Sequence, residues 1–366
     1  MTTSKRLILT SLFLFTGIAA FGSEVDITCA NQTTDTAALN GGIANSHPGD
    51  DIRIHGNCLI NATIVLLGDR TYEGDSRTGT TISQAAGSNL AAMLASDSWN
   101  ADVAYTGDPI RVSHLTIDGN SKANTGTNAL VIRSWLTVIE DLLVENAPGD
   151  GIQITNLSKN GIALTTSQVN GRISNCLVAN SAGNGIHIVD TGNSVTDWDL
   201  LDSWVASSGK SAIDMDNAAG WKVRGNHLYG VQQHGIFANA CFATAIDGNY
   251  IEDFGGAGGN NTWYGIACTV QGGAASVITG NKIFMLSTEA TSGKFIYIGV
   301  PQVNYALGQI NVVDNTIRGA GTDADIGLSY ELNGGKGLDL LSSGNNVQQV
   351  RVERKVGAGI KLVTQY

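Results

Sequence analysis

The sequence predicts an all-β solenoid, a stack of short parallel strands wound into coils, and two rhythms predict it. The first is Gly-Ile-x-Ile, seen as Gly151-Ile152-Gln153-Ile154, Gly185-Ile186-His187-Ile188, Gly235-Ile236-Phe237-Ala238 and Gly265-Ile266-Ala267-Cys268. Relaxed copies stand at Ala212-Ile213-Asp214-Met215 and Phe295-Ile296-Tyr297-Ile298. Short alternating strands recurring every 23 to 34 residues mark an architecture in which each coil stacks on the last. The second rhythm lies between these strands: Val223-x-x-Asn226-x-Leu228, Ile246-x-x-Asn249-x-Ile251, Ile278-x-x-Asn281-x-Ile283 and Val312-x-x-Asn315-x-Ile317, with Asn175 and Asp202 as looser copies. Asn tolerates the left-handed conformation a sharp bend needs, and its amide can bond the Asn of the next coil.

One coil therefore reads as strand, loop, strand, Asn corner, strand, loop, and this resembles the right-handed parallel β-helix of the pectate-lyase and polygalacturonase superfamily. At the N-terminal side, Thr34-Asp35-Thr36-Ala37-Ala38-Leu39-Asn40 is similar to the capping helix that precedes the first coil there. Gly49-Asp50-Asp51-Ile52-Arg53-Ile54, Ile64-Val65-Leu66-Leu67-Gly68 and Thr80-Thr81-Ile82 are similar to the first strands. The resemblance covers residues 23–366, read as one domain with residues 23–82 as cap and first strands. It implies a fold shared by lyases, hydrolases, epimerases and adhesins, so the chemistry must come from the site.

Met1–Gly22 reads as a secretory signal peptide: Lys5 and Arg6 precede the apolar run Leu7–Phe21, and small residues close it at Ala20-Phe21-Gly22. That run is shorter than the ~20 residues a membrane span needs, and nothing else is apolar enough to cross. The expected destination is secreted or periplasmic. Removing Lys5 and Arg6 takes the formal charge from −11 to −13. An acidic surface disfavours nucleic acid and anionic membrane as partners and tilts the expected substrate toward neutral or weakly charged sugars. Uncovered solenoid ends invite association, and the oligomeric state stays open.

Of five Cys, Cys29 and Cys58 flank the cap region, and a bond between them would pin it in an exported protein. Cys268 falls at an inward strand position and Cys176 beside an Asn corner, so both read as core fillers. No Cys/His spacing resembles a zinc site.

Alternation in Gly-Ile-x-Ile turns both Ile inward and x outward. Coil by coil, x is Val131, Gln153, His187, Asp214, Phe237, Ala267 and Tyr297. The next outward position is Arg133, Thr155, Val189, Asp216, Asn239, Thr269 and Gly299, and the residue before the Gly is Asn128, Asp150, Asn184, Ser211, His234, Tyr264 and Lys294. Titratable and aromatic side chains gather in the middle coils, with Lys210 and Asp190 at the edges. Since adjacent coils lie ~4.8 Å apart, a groove along this sheet is the candidate site. Insertions at Asn156–Asn170, Gly299–Leu307, Gly119–Asn128, Asp253–Trp263 and Leu286–Gly293 would wall it. Trp198, Trp263, Tyr264 and Tyr305 lie in or beside such segments and could stack on sugar rings.

Asp214 and Asp216 form the sharpest pair. Two residues apart on one strand, their α-carbons stand ~6.5–7 Å apart, which lets two carboxyls flank a glycosidic bond with a water between them. One would be the general acid and the other the base; a solvated Asp-x-Asp on an exposed strand or a calcium site is the competing reading. Asp150 in Pro148-Gly149-Asp150-Gly151 occupies the place where polygalacturonases show Asn-Thr-Asp-Gly, and His234-Gly235 is placed like their Gly-His-Gly, with Gln233 replacing the first Gly. The paired Asp expected between them is absent, so Asp150 and His234 carry over as candidates.

A lyase needs a base for the proton α to a uronate carboxyl, a proton donor and a positive charge for the enolate-like intermediate. His187 or His234, Tyr264, and Arg133, Lys210 or a calcium ion held by Asp150, Asp214 and Asp216 would supply them, and a uronate epimerase would use the same set. His187 gains weight because Asp214 should lie one coil away in its column and orient the ring. The sequence therefore favours polysaccharide hydrolysis with no required cofactor. Elimination or epimerisation is second, and a non-catalytic glycan-binding protein is third. Tyr264, Trp263, Lys210, Arg133, Tyr297 and Asn239 are the expected substrate contacts.

Overall fold

The computed structural model describes residues 22–286, 293–304, 307–322 and 324–364. Of the leader expected over Met1–Gly22 only Gly22 falls among them, and Tyr305 and most of the Leu286–Gly293 insertion also lie outside. The chain winds as a right-handed parallel β-helix with three long sheets. One has 13 strands and starts at Glu24–Thr28; the second has 11, from Ile64–Leu66 to Val352–Val356, and holds the Gly-Ile strands; the third has 11, from Asn57–Ile60 to Asn346–Gln348. Within each sheet neighbours follow chain order, one strand per coil, and a long apolar core extends from Ile27 to Leu340. The N-terminal end of that core is covered by a helix, Asp35–Asn45, which buries Leu39 and Ile43. It continues past the expected Asn40 through Gly41-Gly42, because a Cβ on Gly42 would stand 2.6 Å from Ile27, whose close approach favours glycine there. The Asp35 carboxylate accepts N–H bonds from Ala30, Gln32 and Leu59, and a Cys29–Cys58 disulfide ties the same region.

The Gly-Ile strands stack in the expected register: Leu130, Ile152, Ile186, Ile213, Ile236 and Ile266 pair in succession. The glycine belongs to close packing, since a Cβ on Gly151 or Gly265 would lie 2.6 Å from the next coil's carbonyl oxygen. At the following coil Ile266 pairs with Ile298, so Phe295-Ile296-Tyr297-Ile298 is misaligned by two residues and Gly299 takes the x position. The strand Lys294–Gln302 is buried from Phe295 to Val300, which erases the alternation that would have shown the slip. Cys268 bonds Cys241 rather than filling the core as a free thiol, while Cys176 is free and buried.

The corner separates two roles that Asn was expected to combine. Register places Asn175, Asp202, Gly225, Gly248, Gly280, Asp314 and Gly344 in one column, and all have positive φ. The ladder is the next residue along. Cys176 N–H donates to Ser203 Oγ, Ser203 N–H to Asn226, and each Asn then donates through N–H and Nδ2 to the Oδ1 of Asn249, Asn281, Asn315 and Asn345 in turn. Asn175 and Asp202 thus belong to the bend, and Cys176 and Ser203 continue the ladder. Trp198, expected beside the groove, is wholly buried, stacked on Trp221 and bonded to the Gln168 carbonyl.

Candidate active site

The residues just before each Gly-Ile form a second ladder along the middle sheet. Asn128 Oδ1 accepts the Asp150 N–H at 2.9 Å, Asp150 Oδ1 accepts that of Asn184 at 2.7 Å, and Asn184 Oδ1 accepts that of Ser211 at 3.1 Å. After a break at Ser211, His234 Nδ1 accepts the Tyr264 N–H at 3.0 Å. A neutral amide suffices for this task, and Asp150 performs it with one oxygen only. Its other oxygen, Oδ2, lies 2.6 Å from His187 Nδ1.

That contact makes the centre of the site. His187 and Asp214 pair in register on adjacent coils, yet the carboxylate that orients the imidazole is Asp150 rather than the expected Asp214. Burial opposes charging of the His187 ring, but Asp150, Asp214 and Asp216 outweigh it and hold its pKa above the usual value. With Nδ1 turned to Asp150, Nε2 is the nitrogen left for chemistry. Asp214 is half-buried and its carboxyl is pushed up by burial, with Asp216 and Asp150 adding to the rise against the opposing pull of His187. Asp216, just past the end of the strand Ile213–Met215, is exposed. Lys210 is exposed at the loop before that strand and pulls the Asp214 pKa down slightly against these effects.

Because His234 Nδ1 accepts a backbone N–H, the neutral ring carries its proton on Nε2 and can only donate there. Burial drops its pKa to about 4. The sign of the linkage is fixed: the unfolded chain takes up a proton near 6.5 that the native ring refuses until about 4. Stability is therefore lost as pH falls through that window, by roughly 3 kcal/mol at the acid end. His234→Asn keeps a neutral acceptor of the kind Asn184 supplies and removes the titration. Its urea midpoint is expected to fall much less than that of the parent between pH 7 and pH 4.5; parallel decline would refute this account.

Several expected substrate contacts are buried. Arg133 is fully buried and donates to five backbone carbonyls, those of Asn156, Ser98, Val103, Tyr105 and Ile162, because loops fold over the outer face at its coil. Trp263 is 7 % exposed, with its indole N–H on the Gly258 carbonyl. Tyr297, displaced by the two-residue slip, is buried against Phe254, and its hydroxyl accepts the Ala320 N–H beside Asp325. Asp190 is buried and accepts N–H bonds from Gly192, Ser194 and Val195 and the Asn217 amide. Tyr264 and Asn239 remain half-buried on the outer face; Tyr264 and Phe237 pack on His234, and Asn239 accepts a bond from Thr269.

Among the described residues no group of three or more His, Cys, Asp or Glu side chains is arranged to hold a metal ion. Of the residues expected to share a calcium ion, Asp150 has one oxygen on the Asn184 N–H and the other on His187. The structure adds Ser211, placed in this column by spacing and carrying a buried hydroxyl with no partner among the described residues, and Trp99, described below, which neither residue type nor spacing signalled.

The fold is that of the pectate-lyase-like parallel β-helix proteins. The A-module of the mannuronan C-5 epimerase AlgE4 of Azotobacter vinelandii superimposes with a TM-score of 0.60 at 14% identity, covering 94% of this chain and 98% of that one. An exopolygalacturonase of Yersinia enterocolitica gives 0.50 at 10%, covering 93% and 78%. The catalytic unit of an α-1,3-glucanase from Streptomyces thermodiastaticus gives 0.50 at 11%, covering 95% and 69%. No protein-family profile and no curated sequence matches the chain.

Proposed function

We propose that the protein is an exported polysaccharide hydrolase whose groove lies on the outer face of the middle sheet. The carrying observation is that Asp214 and Asp216, two residues apart, sit in different environments: one half-buried with its carboxyl pushed up, the other exposed. Environments that push two neighbouring carboxyls apart assign an acid and a base. Asp214, protonated, gives its proton to the leaving glycosidic oxygen. Asp216 takes a proton from the water that attacks the anomeric carbon from the other side, so the product anomer is inverted. His187, held by Asp150, is the cationic neighbour that keeps four acidic and basic groups in balance and offers Nε2–H to a sugar hydroxyl. Two disulfides suit an oxidising compartment. The solved structures with this fold include enzymes named for polysaccharides, which supports the substrate class.

Elimination and epimerisation lose Arg133, which is buried among carbonyls, and His234, whose Nε2 has no free lone pair, and would fall to His187, Tyr264 and Lys210. The test is incubation with neutral and uronate polysaccharides while following reducing ends and unsaturated-uronate absorbance together. Reducing ends without absorbance are expected. Both signals rising together would replace hydrolysis with elimination.

A further inference from the structure

The outer face of the middle sheet is not open along its whole length. After the strand Ala92–Ser96 the chain turns into a short helix, Asp97–Asn100, and its Trp99 packs on Ala92, Ala95 and Val131. Ala95 and Val131 are the x positions of two adjacent coils, so the indole occupies the floor where a ligand would lie. Both are fully buried beneath it, and Trp99 is itself only 7 % exposed.

This plug is held from three sides. The carbonyl of Trp99 accepts the Lys159 N–H, joining it to the loop that follows Ile152–Thr155. Arg133, between the two loops, donates to Ser98, Val103 and Tyr105 on one and to Asn156 and Ile162 on the other. Asp102 then reaches across to the Ser158 hydroxyl and the Asn160 N–H. A guanidinium whose bonds are all to fixed carbonyls makes the loops one rigid piece, so the end of the groove is closed by built structure.

Toward the other end, the x positions beyond Asp214 are half-buried Phe237 and then Ala267 and Gly299, both buried, where the half-buried ring of Tyr264 lies over the Gly299 position, so the floor there is a partly exposed aromatic surface and not a loop-held plug. Between the plugged coil of Val131 and the coil of Asp214 lie two coils, those of Gln153 and His187. At ~4.8 Å per coil, that space takes about two sugar units of an extended chain, each advancing by close to one coil.

We propose that the groove admits a polysaccharide only by its end: the terminal units lie over Gln153 and His187 against the Trp99 plug, and the rest of the polymer runs toward Phe237. The enzyme would then release a short product of uniform size from a neutral chain. This rests on the hydrolytic reading for the cleavage but not for the end requirement, which any occupant of the groove would obey.

The experiment uses the whole protein and the polysaccharide it cleaves best. One uniform short product from the earliest times is expected, with viscosity falling far behind reducing-end release. Chains carrying a bulky fluorophore at both ends should resist cleavage at least tenfold. Trp99→Ala, checked for a native circular-dichroism spectrum, should yield fragments of mixed length. Early mid-length fragments from the parent, or cleavage of blocked chains at the unblocked rate, would overturn the proposal. If no polysaccharide is cleaved, the hydrolytic reading fails, and retardation in glycan-containing gels decides the rest. Retardation by free-ended chains alone supports end recognition; equal retardation by blocked chains, or none by any chain, refutes it.

Discussion

Asp214→Asn is expected to leave the fold intact and lower the cleavage rate by roughly three orders of magnitude, the scale on which a positioned general acid acts. Asn keeps the shape and the polar edge of the side chain but has no proton to give. Asp216→Asn should produce a loss of similar size for the opposite reason, since it cannot receive the proton of the attacking water. The pH profile carries a sign. Asp214 must be protonated, and burial with two neighbouring carboxylates raises its pKa, so activity persists above the usual aspartate range and is lost as pH rises through the raised value. Asp150→Asn separates positioning from chemistry. It preserves the ladder bond to Asn184, as Asn128 does for Asp150, yet removes the charge that holds His187 protonated. The His187 pKa, read by NMR titration, should fall; near-parent rates in both Asp214→Asn and Asp216→Asn would end the hydrolytic assignment.

Asn249→Ala should give a large loss of stability, about 4 kcal/mol, because several buried groups lose partners at once. Asn249 Oδ1 accepts from the N–H and the Nδ2 of Asn226, and its own Nδ2 donates to the Val223 carbonyl and to Asn281. No water reaches these atoms to replace it, as Asn226, Asn249 and Asn281 are all at most 1% exposed. Asn249→Ser should lose less, since Ser203 shows that a hydroxyl can accept the N–H of the preceding coil. Urea midpoints of the two variants check the order. Equal midpoints for Ala and Ser would mean the ladder contributes little.

The coil register was legible because inward Ile recurs with a Gly that close packing requires, a signal that survives loops of unequal length. It failed where that contrast disappears. At Phe295–Val300 every side chain is buried, so apolar identity no longer distinguishes in from out and the frame slipped by two. At the corners the slip was one residue: Gly-Asn, Asn-Cys and Asp-Ser are equivalent pairs, and matching Asn to Asn joined a bend residue to a ladder residue. The site was partly legible for the same reason as the register. Column counting brought His187 beside Asp214 and exposed Asp216, but it treated every outward position as open. Arg133 and Val131 are outward by alternation and buried by loops that return from other coils, which a local period cannot register. The Asp150–His187 contact likewise joins a loop end to a strand one coil on, so no single-column rule could predict it.

The two ladders also differ in the order in which synthesis makes their halves available. Along the row containing Asp150, a later coil's N–H finds an acceptor that already exists on the earlier coil: Asp150 on Asn128, Asn184 on Asp150, Ser211 on Asn184. Along the Asn row the earlier coil donates and must wait for the later coil to bring the acceptor: Asn226 for Asn249, Asn249 for Asn281, Asn281 for Asn315. A nascent coil therefore docks at once on one edge and stays unlatched on the other until its successor emerges. Where both rows run, at the coils of Asn184 and Ser211, assembly in chain order would leave one latch open at the advancing edge until the next coil closes it.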